Sequence, residues 1–431
     1  MFFGKKSKKI FIIGLDGTPY TLLKEFIENG ALKNFREISR EGSFSQMDSV
    51  HPTISSVAWT TFITGWNPGG HGLYGFVEPK PFSYDIFIPG YNDIKKKTLY
   101  DYFQDLKIVS INIPITYPVF KIKGILISGF LAPKIEKGTF PENISKMLFK
   151  KGYILDVDPW LARKGKKEEF INQIYSATGK RFQIMEEFLK EKAEVNILHI
   201  METDRLFHFF MDDKKLLLDY FKFLDEKLGN LITKIPENSE LIILSDHGFC
   251  EIDREVNVNA ILMENKILEF ENQNPESMQD IRETSLSFSM IPGRIYLNSK
   301  EKRPKAKFNE DEIKAKMEEV FEVFRNLKFN DKKVIKEIKS KKEIFGENPQ
   351  GNPPEYLLIP YDGFDLKANI RDKNIFYNSE LKGMHTYHDA FLFIKNHKIK
   401  KRPALKDILP TILKIMNKDA WGIEGENLVE E

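Results

Sequence analysis

Cysteine is almost missing from this sequence: Cys250 is the single one in 431 residues. No disulfide can close within the chain, and no thiolate cluster can hold a metal. A reducing compartment fits this, and a cytoplasmic protein is expected. Long apolar runs are missing as well. The stretch that follows the N-terminal lysines is broken at once by Gly14 and Asp16, which is too soon for a signal peptide. Nowhere do about 18 uncharged apolar residues follow one another, so no membrane span is expected. An excess of one charge is also lacking. Lys and Arg number 65 against 63 Asp and Glu, for a formal net charge of +2. Such a balance does not make the whole surface a polyanion binder, and no nucleic-acid duplex is expected as a partner. Lysine-rich stretches such as SKEKRPKAK and KKVIKEIKSKK read as solvated surface. There is no internal repeat and no low-complexity tail.

What is present suits a large α/β enzyme with insertions: 41% of the residues are hydrophobic, enough to bury a sizeable core. Ile10–Asp16 is a continuous apolar run, as a strand buried on both faces would be. Ile108–Pro114, Ile125–Phe130, Val195–Ile200 and Leu241–Asp246 are further strand candidates. Amphipathic helices lie between them, the clearest from Lys214 to about Ile235, with Leu217, Tyr220, Phe221, Leu224, Leu228 and Leu231 on one stripe. Alternating strands and helices predict an α/β fold, a mainly parallel central sheet flanked by helices on both faces. The texture changes after Phe249, where short strands (RIYLN, YLLIP), lysine-rich stretches and a helix from Glu310 to Leu327 follow one another. Residues 251–380 therefore read as an α+β insertion or cap, and 1–250 with 381–431 as the catalytic core. The strand Phe391–Ile394 and the helix around ILPTILKIM return the chain to that core.

The chemistry-bearing residues concentrate at strand ends. Asp16 ends the first strand, Asp246 and His247 end LIIL, and Asp204 follows VNILHI. In an open α/β sheet ligands bind outside the carboxyl ends of the strands, so three strands deliver a carboxylate to one edge. Asp204 and His208 stand four apart, on one face of a helix. A carboxylate and an imidazole so presented suit Zn²⁺, or Mn²⁺ and Fe²⁺ with less selectivity. His385 and His388 both precede the returning strand, and either could be a ligand. Ser55 or Ser56 would open the helix in HPTISSVAWTTFITG. A serine there is either a helix cap or a nucleophile beside free N–H groups that suit a phosphate. Trp59, Trp66, Tyr74 and Phe76 follow closely, as core residues or as rings for a base to stack on.

GLDG, then PT-x-S before a helix ending in TG, then D-x-x-x-H, SDHG and G-x-H form an ordered set. That set resembles the alkaline phosphatase superfamily, and more narrowly its type I phosphodiesterase and nucleotide pyrophosphatase branch in its prokaryotic form. PITYPVFKIKGILISGFLAP and PGRIYLN also look like that branch. The resemblance implies two divalent metal ions, Zn or alternatively Mn. Asp204, His208 and His385 would hold one; Asp16, Asp246 and His247 would hold the other, with the Ser55 oxygen bound there too. It also implies Ser55 as nucleophile, ahead of Ser56 and Thr53, in a double displacement through a phosphoseryl intermediate, with metals about 4 Å apart. One position departs: nucleotide pyrophosphatases carry Asn three residues after the nucleophile, where this chain has Ala58. No C/S-x-P-x-R context of the sulfatases surrounds Ser55, and phosphoglycerate mutases arrange their motifs differently.

The expected activity is hydrolysis of a small phosphate ester, a phosphodiester or pyrophosphate such as a nucleotide. The same ligand set would serve a phosphomonoesterase, a phosphonate hydrolase or a phosphotransferase. A metal-stabilised binding protein without turnover is the alternative of another class.

Overall fold

The computed structural model describes residues 8–430; the lysines at positions 5 and 6 lie outside them. The described chain divides into two compact units, one of residues 8–67, 90–249 and 385–430, the other of 68–89 and 250–384. The segment 68–89, which sequence reading leaves with the core, groups with the second unit.

The first unit is built on an eight-stranded sheet. Its strands are β1 (Ile10–Leu15), β2 (Gly42–Met47), β3 (Ile108–Ile113), β4 (Gly124–Ser128), β5 (Thr139–Phe140), β6 (Val195–Ile200), β7 (Glu240–Leu244) and β8 (Ala390–Lys395). They lie in the order β2-β8-β7-β1-β6-β3-β4-β5. Pairing is parallel from β7 through β1, β6 and β3 to β4, and antiparallel where β8 meets β7 and β2 and where β5 meets β4. The central strands β1, β3 and β6 are buried along their whole length, which is why they read as mainly apolar runs rather than alternating ones, with Ser110, Asn112, Asn196 and His199 the polar exceptions.

Alternate residues of β1 serve opposite faces. Phe11, Ile13 and Leu15 join a core shared with α1 (Tyr20–Glu28), α3 (Lys167–Phe188) and α5 (Lys214–Ile232). On the other face, a side chain at Gly14 would run into Trp59 of α2 (Ser55–Thr64). Helices therefore cover both faces. The stripe expected on α5 is buried, and the helix stops at Ile232. Pro236 disfavours the helical region for Ile235, which shortens the helix below its apolar pattern.

The second unit has a four-stranded sheet of Ser287–Met290, Arg294–Leu297, Tyr356–Pro360 and Ile335–Ser340, neighbours in that order. The helix Glu310–Asn326 packs Ile313, Met317, Val320, Phe321 and Phe324 into its core. Asn309 opens that helix with a reciprocal cap: its side chain accepts from the Glu312 N–H at 2.9 Å, and the Glu312 carboxylate accepts from the Asn309 N–H at 2.8 Å. Among the described residues no helix is long and apolar enough to cross a membrane.

Candidate functional site

Three strand ends and a helix meet at the carboxyl edge of the large sheet. Asp16 follows β1, Asp246 and His247 follow β7, and α4 (Glu202–Phe210) begins just after β6. Backbone and side-chain bonds tie these ends together. The Asp16 N–H donates to the Ile200 carbonyl at 3.0 Å, and the Thr203 hydroxyl donates to the Asp16 carbonyl at 2.6 Å. The Gly17 N–H donates to Asp246 Oδ1 at 3.1 Å. Gly17 has φ +67°, and a Cβ there would lie 2.5 Å from the Phe249 ring, so the turn after Asp16 takes glycine. The start of α4 is held from below by a fully buried ion pair, Arg181 Nη2 to Glu202 Oε1 at 2.6 Å, with Arg181 also donating to the Tyr153 hydroxyl at 2.7 Å.

Two triads that could hold a metal ion result: Asp204, His208 and His385 in one, Asp16, Asp246 and His247 in the other, each with its donor atoms within 4.8 Å of one another. In the first, His385 Nε2 lies 3.1 Å from Asp204 Oδ1 and 3.1 Å from His208 Nε2. The four-residue spacing of Asp204 and His208 falls on α4, with Nε2 and Oδ1 at 3.5 Å. In the second, His247 Nε2 lies 3.5 Å from Asp16 Oδ1 and 3.4 Å from Asp246 Oδ2. The His247 and His385 rings stack across the two triads, with centroids 3.7 Å apart.

Both rings are turned the same way. His247 Nδ1 donates to the Gly248 carbonyl at 3.1 Å, and His385 Nδ1 donates to the Thr53 carbonyl at 3.0 Å. Each ring therefore points Nε2 at its triad, the orientation that backbone carbonyls impose on metal-binding histidines. Of the two candidates before β8, only His385 faces the site; the His388 ring is 62% exposed and bonds Asp48.

The electrostatics ask for a cation. Burial, followed by the charge of Asp16, pushes the Asp246 carboxyl well above its ordinary value. Its Oδ2 is buried with no hydrogen-bond partner, an arrangement costing a few kcal/mol unless something positive fills it. Burial, then the neighbouring His385, hold His247 down at about 3, which keeps the ring neutral and able to ligate. At Asp204 burial works the other way, yet His208, His385 and Arg205 together keep the carboxyl below its ordinary value. Oxygen and imidazole donors in two compact sets fit divalent ions of the zinc type.

Ser55 is the first residue of α2, and the cap position is Ile54, which makes no side-chain bond to the helix. The Ser55 hydroxyl is thus not spent on capping. Its Oγ lies 3.3 Å from Asp16 Oδ1 and 3.2 Å from His247 Nε2, on the second triad. The N–H groups of the first turn, before Ala58 bonds back to Ile54, have no carbonyl a turn earlier and are oriented for an anion.

Sequence reasoning missed the outer layer. Asp16 Oδ2 accepts from His199 Nε2 at 2.9 Å and from Trp59 Nε1 at 2.8 Å. Arg205 Nη2 pairs with Asp156 at 2.7 Å. Trp59 is buried, as a core ring would be, but its indole N–H is used. His199 lies within an apolar strand and gives no local signal beyond being a lone polar ring in a buried run.

A family model described as type I phosphodiesterase / nucleotide pyrophosphatase matches residues 10–388. The chain belongs to that family. It is accordingly a hydrolase of the phosphodiesterase and pyrophosphatase class. Similar solved structures include phosphonoacetate hydrolase from Sinorhizobium meliloti in complex with phosphonoformate, at 14% identity and a TM-score of 0.66, covering 96% of this chain and 98% of that one. An inactive form of murine ectonucleotide pyrophosphatase/phosphodiesterase 5 in complex with AMP matches at 16% identity and a TM-score of 0.59, covering 98% and 100%. The human form of that protein matches at 16% and 0.59, with the same coverage. At such identities the likeness is one of fold. No curated protein matches the chain at a significant level.

Proposed function

We propose that the chain hydrolyses small phosphodiesters or pyrophosphates with two bound divalent cations, zinc or alternatively manganese, and Ser55 as nucleophile. The observation that carries this reading is the Ser55 hydroxyl, uncapped and within 3.3 Å of both Asp16 and His247, beside a second triad stacked against the first. Asp16, Asp246 and His247 would hold one cation, and Asp204, His208 and His385 the other. When bound, such ions supply Lewis acidity, favouring the serine alkoxide and neutralising phosphoryl oxygens.

The chain's own residues do the rest. Ser55 Oγ gives up its proton and attacks phosphorus in line; the Oγ–P bond forms as the bond to the leaving oxygen breaks, and the leaving oxygen departs with a proton in balance. Free N–H groups at the start of α2 orient the non-bridging oxygens. Water then attacks phosphorus from the vacated side, the Oγ–P bond breaks, and Ser55 recovers its proton. Two displacements retain configuration at phosphorus.

A second reading, a phosphonate or monoester substrate on the same site, is favoured by Ala58. This buried methyl stands where nucleotide pyrophosphatases use an asparagine to bind the phosphoryl group. Metal-replete turnover of bis-p-nitrophenyl phosphate, dinucleotide pyrophosphates, p-nitrophenyl phosphate and phosphonoacetate, run side by side, tests both. Preference for the first two supports the diesterase; turnover of phosphonoacetate or monoester alone replaces it with the second reading. Metal bound without turnover of any of them would leave a binding protein.

A further inference from the structure

We propose that His199 and Trp59 are a positioning pair: they lock the outer oxygen of Asp16, so that this carboxylate offers only Oδ1 to a cation and to Ser55. The proposal rests on the reading that Asp16, Asp246 and His247 hold a cation.

The two oxygens of Asp16 have divided surroundings. Oδ1 faces Ser55 Oγ at 3.3 Å and His247 Nε2 at 3.5 Å. Oδ2 faces away from both and accepts twice, from Trp59 Nε1 at 2.8 Å and His199 Nε2 at 2.9 Å. A carboxylate at a strand end can otherwise rotate and bind a cation through one oxygen or both; two rigid ring donors on one oxygen fix the rotation and leave one. The carboxylate, both rings and the neighbouring Asn112 are all buried, so no water competes for these bonds.

The support extends outward. The other ring nitrogen, His199 Nδ1, lies 2.9 Å from the Asn112 carbonyl oxygen, a contact that fixes the ring plane. Asn112 adopts φ +69°, uncommon for a non-glycine residue, and the β3–β4 register shifts across it, between Ile111 and Ile113. That irregularity gives the carbonyl its place on His199. On the neighbouring strand Gly14 pairs in register with His199. A Cβ at Gly14 would come within 2.3 Å of the Trp59 ring and 3.2 Å of His199 Cδ2. The two rings meet edge to face over that glycine, with centroids 4.5 Å apart. Glycine in one strand, a bulge in another and a histidine in a third thus converge on a single carboxylate oxygen. A bond made only for stability would have no reason to leave Oδ1 to the site.

The test is a zinc titration of the chelator-treated full chain by calorimetry, paired with phosphodiester kinetics on the zinc-loaded protein. The variants are His199→Leu, His199→Gln and Trp59→Phe. Wild type should take up two ions. In His199→Leu one affinity should fall by about 10- to 100-fold, as for lost outer partners of metal ligands, while the other keeps its wild-type value. Its kcat should fall more than its KM changes. His199→Gln, whose amide N–H can reach the Nε2 position, should recover most of the affinity, and Trp59→Phe should show a smaller loss at the same site. Unchanged affinities in His199→Leu, equal loss at both sites, or no recovery with Gln overturns the proposal. If His199→Leu does not fold, Trp59→Phe decides by the same one-site criterion. A wild-type chain that binds fewer than two ions instead removes the two-cation reading on which the proposal stands.

Discussion

Arg205 Nη1 donates to Asp204 Oδ2 at 3.0 Å, while Asp204 Oδ1 faces His385 Nε2 at 3.1 Å. The two oxygens of this carboxylate are divided between an outer guanidinium and the ligand triad. Arg205 is itself fixed by Asp156 through Nε at 3.2 Å and Nη2 at 2.7 Å, and lies over the Phe130 ring. An arginine suits this place because its planar fork can serve two carboxylates at once. Replacing it in Arg205→Met leaves Asp156 and Asp204 Oδ2 without their donor. Zinc affinity at the Asp204 triad should fall about 10- to 100-fold, and stability by about 1–3 kcal/mol. Zinc titration and urea unfolding measure both; an unaltered zinc affinity would show that Arg205 serves the fold alone.

Ser55→Ala should keep the fold and both cations and lose turnover by on the order of 10³-fold or more, because the residual rate would rest on the cations and the N–H groups alone. Acid quench of wild type with radiolabelled diester should trap label on the protein, and the variant should carry none. Wild-type turnover in the variant would dismiss Ser55 as nucleophile.

Chelation should lower the melting temperature as well as abolish activity. Without a cation, Asp246 Oδ2 stays buried and unpartnered. Returning zinc should raise stability in step with its free concentration, by about 2.7 kcal/mol at a hundredfold excess over the dissociation constant. A melt insensitive to both chelator and zinc counts against a bound ion.

Asp48 receives Arg402 on both oxygens, at 2.7 and 3.1 Å, and His388 at 3.1 Å. Burial alone would raise its pKa, but these partners outweigh it and lower the value from the ordinary 3.8. A depressed carboxylate contributes stability that is complete above about 3.8 and is lost as pH falls through the lower folded value. Asp48→Asn should therefore cost about 0.5 kcal/mol at neutral pH and make the melting temperature less sensitive to acid. Parallel melting curves for both proteins across the acid range would contradict it.

Cys250 should resist alkylation. Burial, then the charge of Asp362, push its thiol up to about 12, so roughly one molecule in ten thousand carries the thiolate at pH 8. Iodoacetamide should label the urea-unfolded chain within minutes and leave the folded chain largely unmodified, as read by mass spectrometry.

How much of this the sequence disclosed depends on whether the signal is local. β1, β3 and β6 were legible because strands buried on both faces leave mainly apolar runs. The convergence of Asp16, Asp246 and His247 was legible because each ends such a run, and that of Asp204 with His208 because four residues make one helical turn. For Ser55 the local pattern misleads: a serine opening a helix suggests a cap, yet the cap position is Ile54 and the serine stands one residue inside. His199, Asn112 and Gly14 carry no local signal. Their relation exists only once three strands lie side by side, since residues 14, 112 and 199 become neighbours through sheet order alone. The grouping of 68–89 with 250–384 is likewise a matter of long-range packing.

β8 enters the sheet between β2 and β7, and His385 lies just ahead of it. Every other residue of the two triads lies at or before position 247, but the last imidazole comes more than a hundred residues later. A chain cut short ahead of 385 therefore keeps the three residues of one cluster and lacks a donor of the other. β8 brings no ligand of its own, yet the Asp204 cluster lacks its third donor in any chain that stops before this strand's approach.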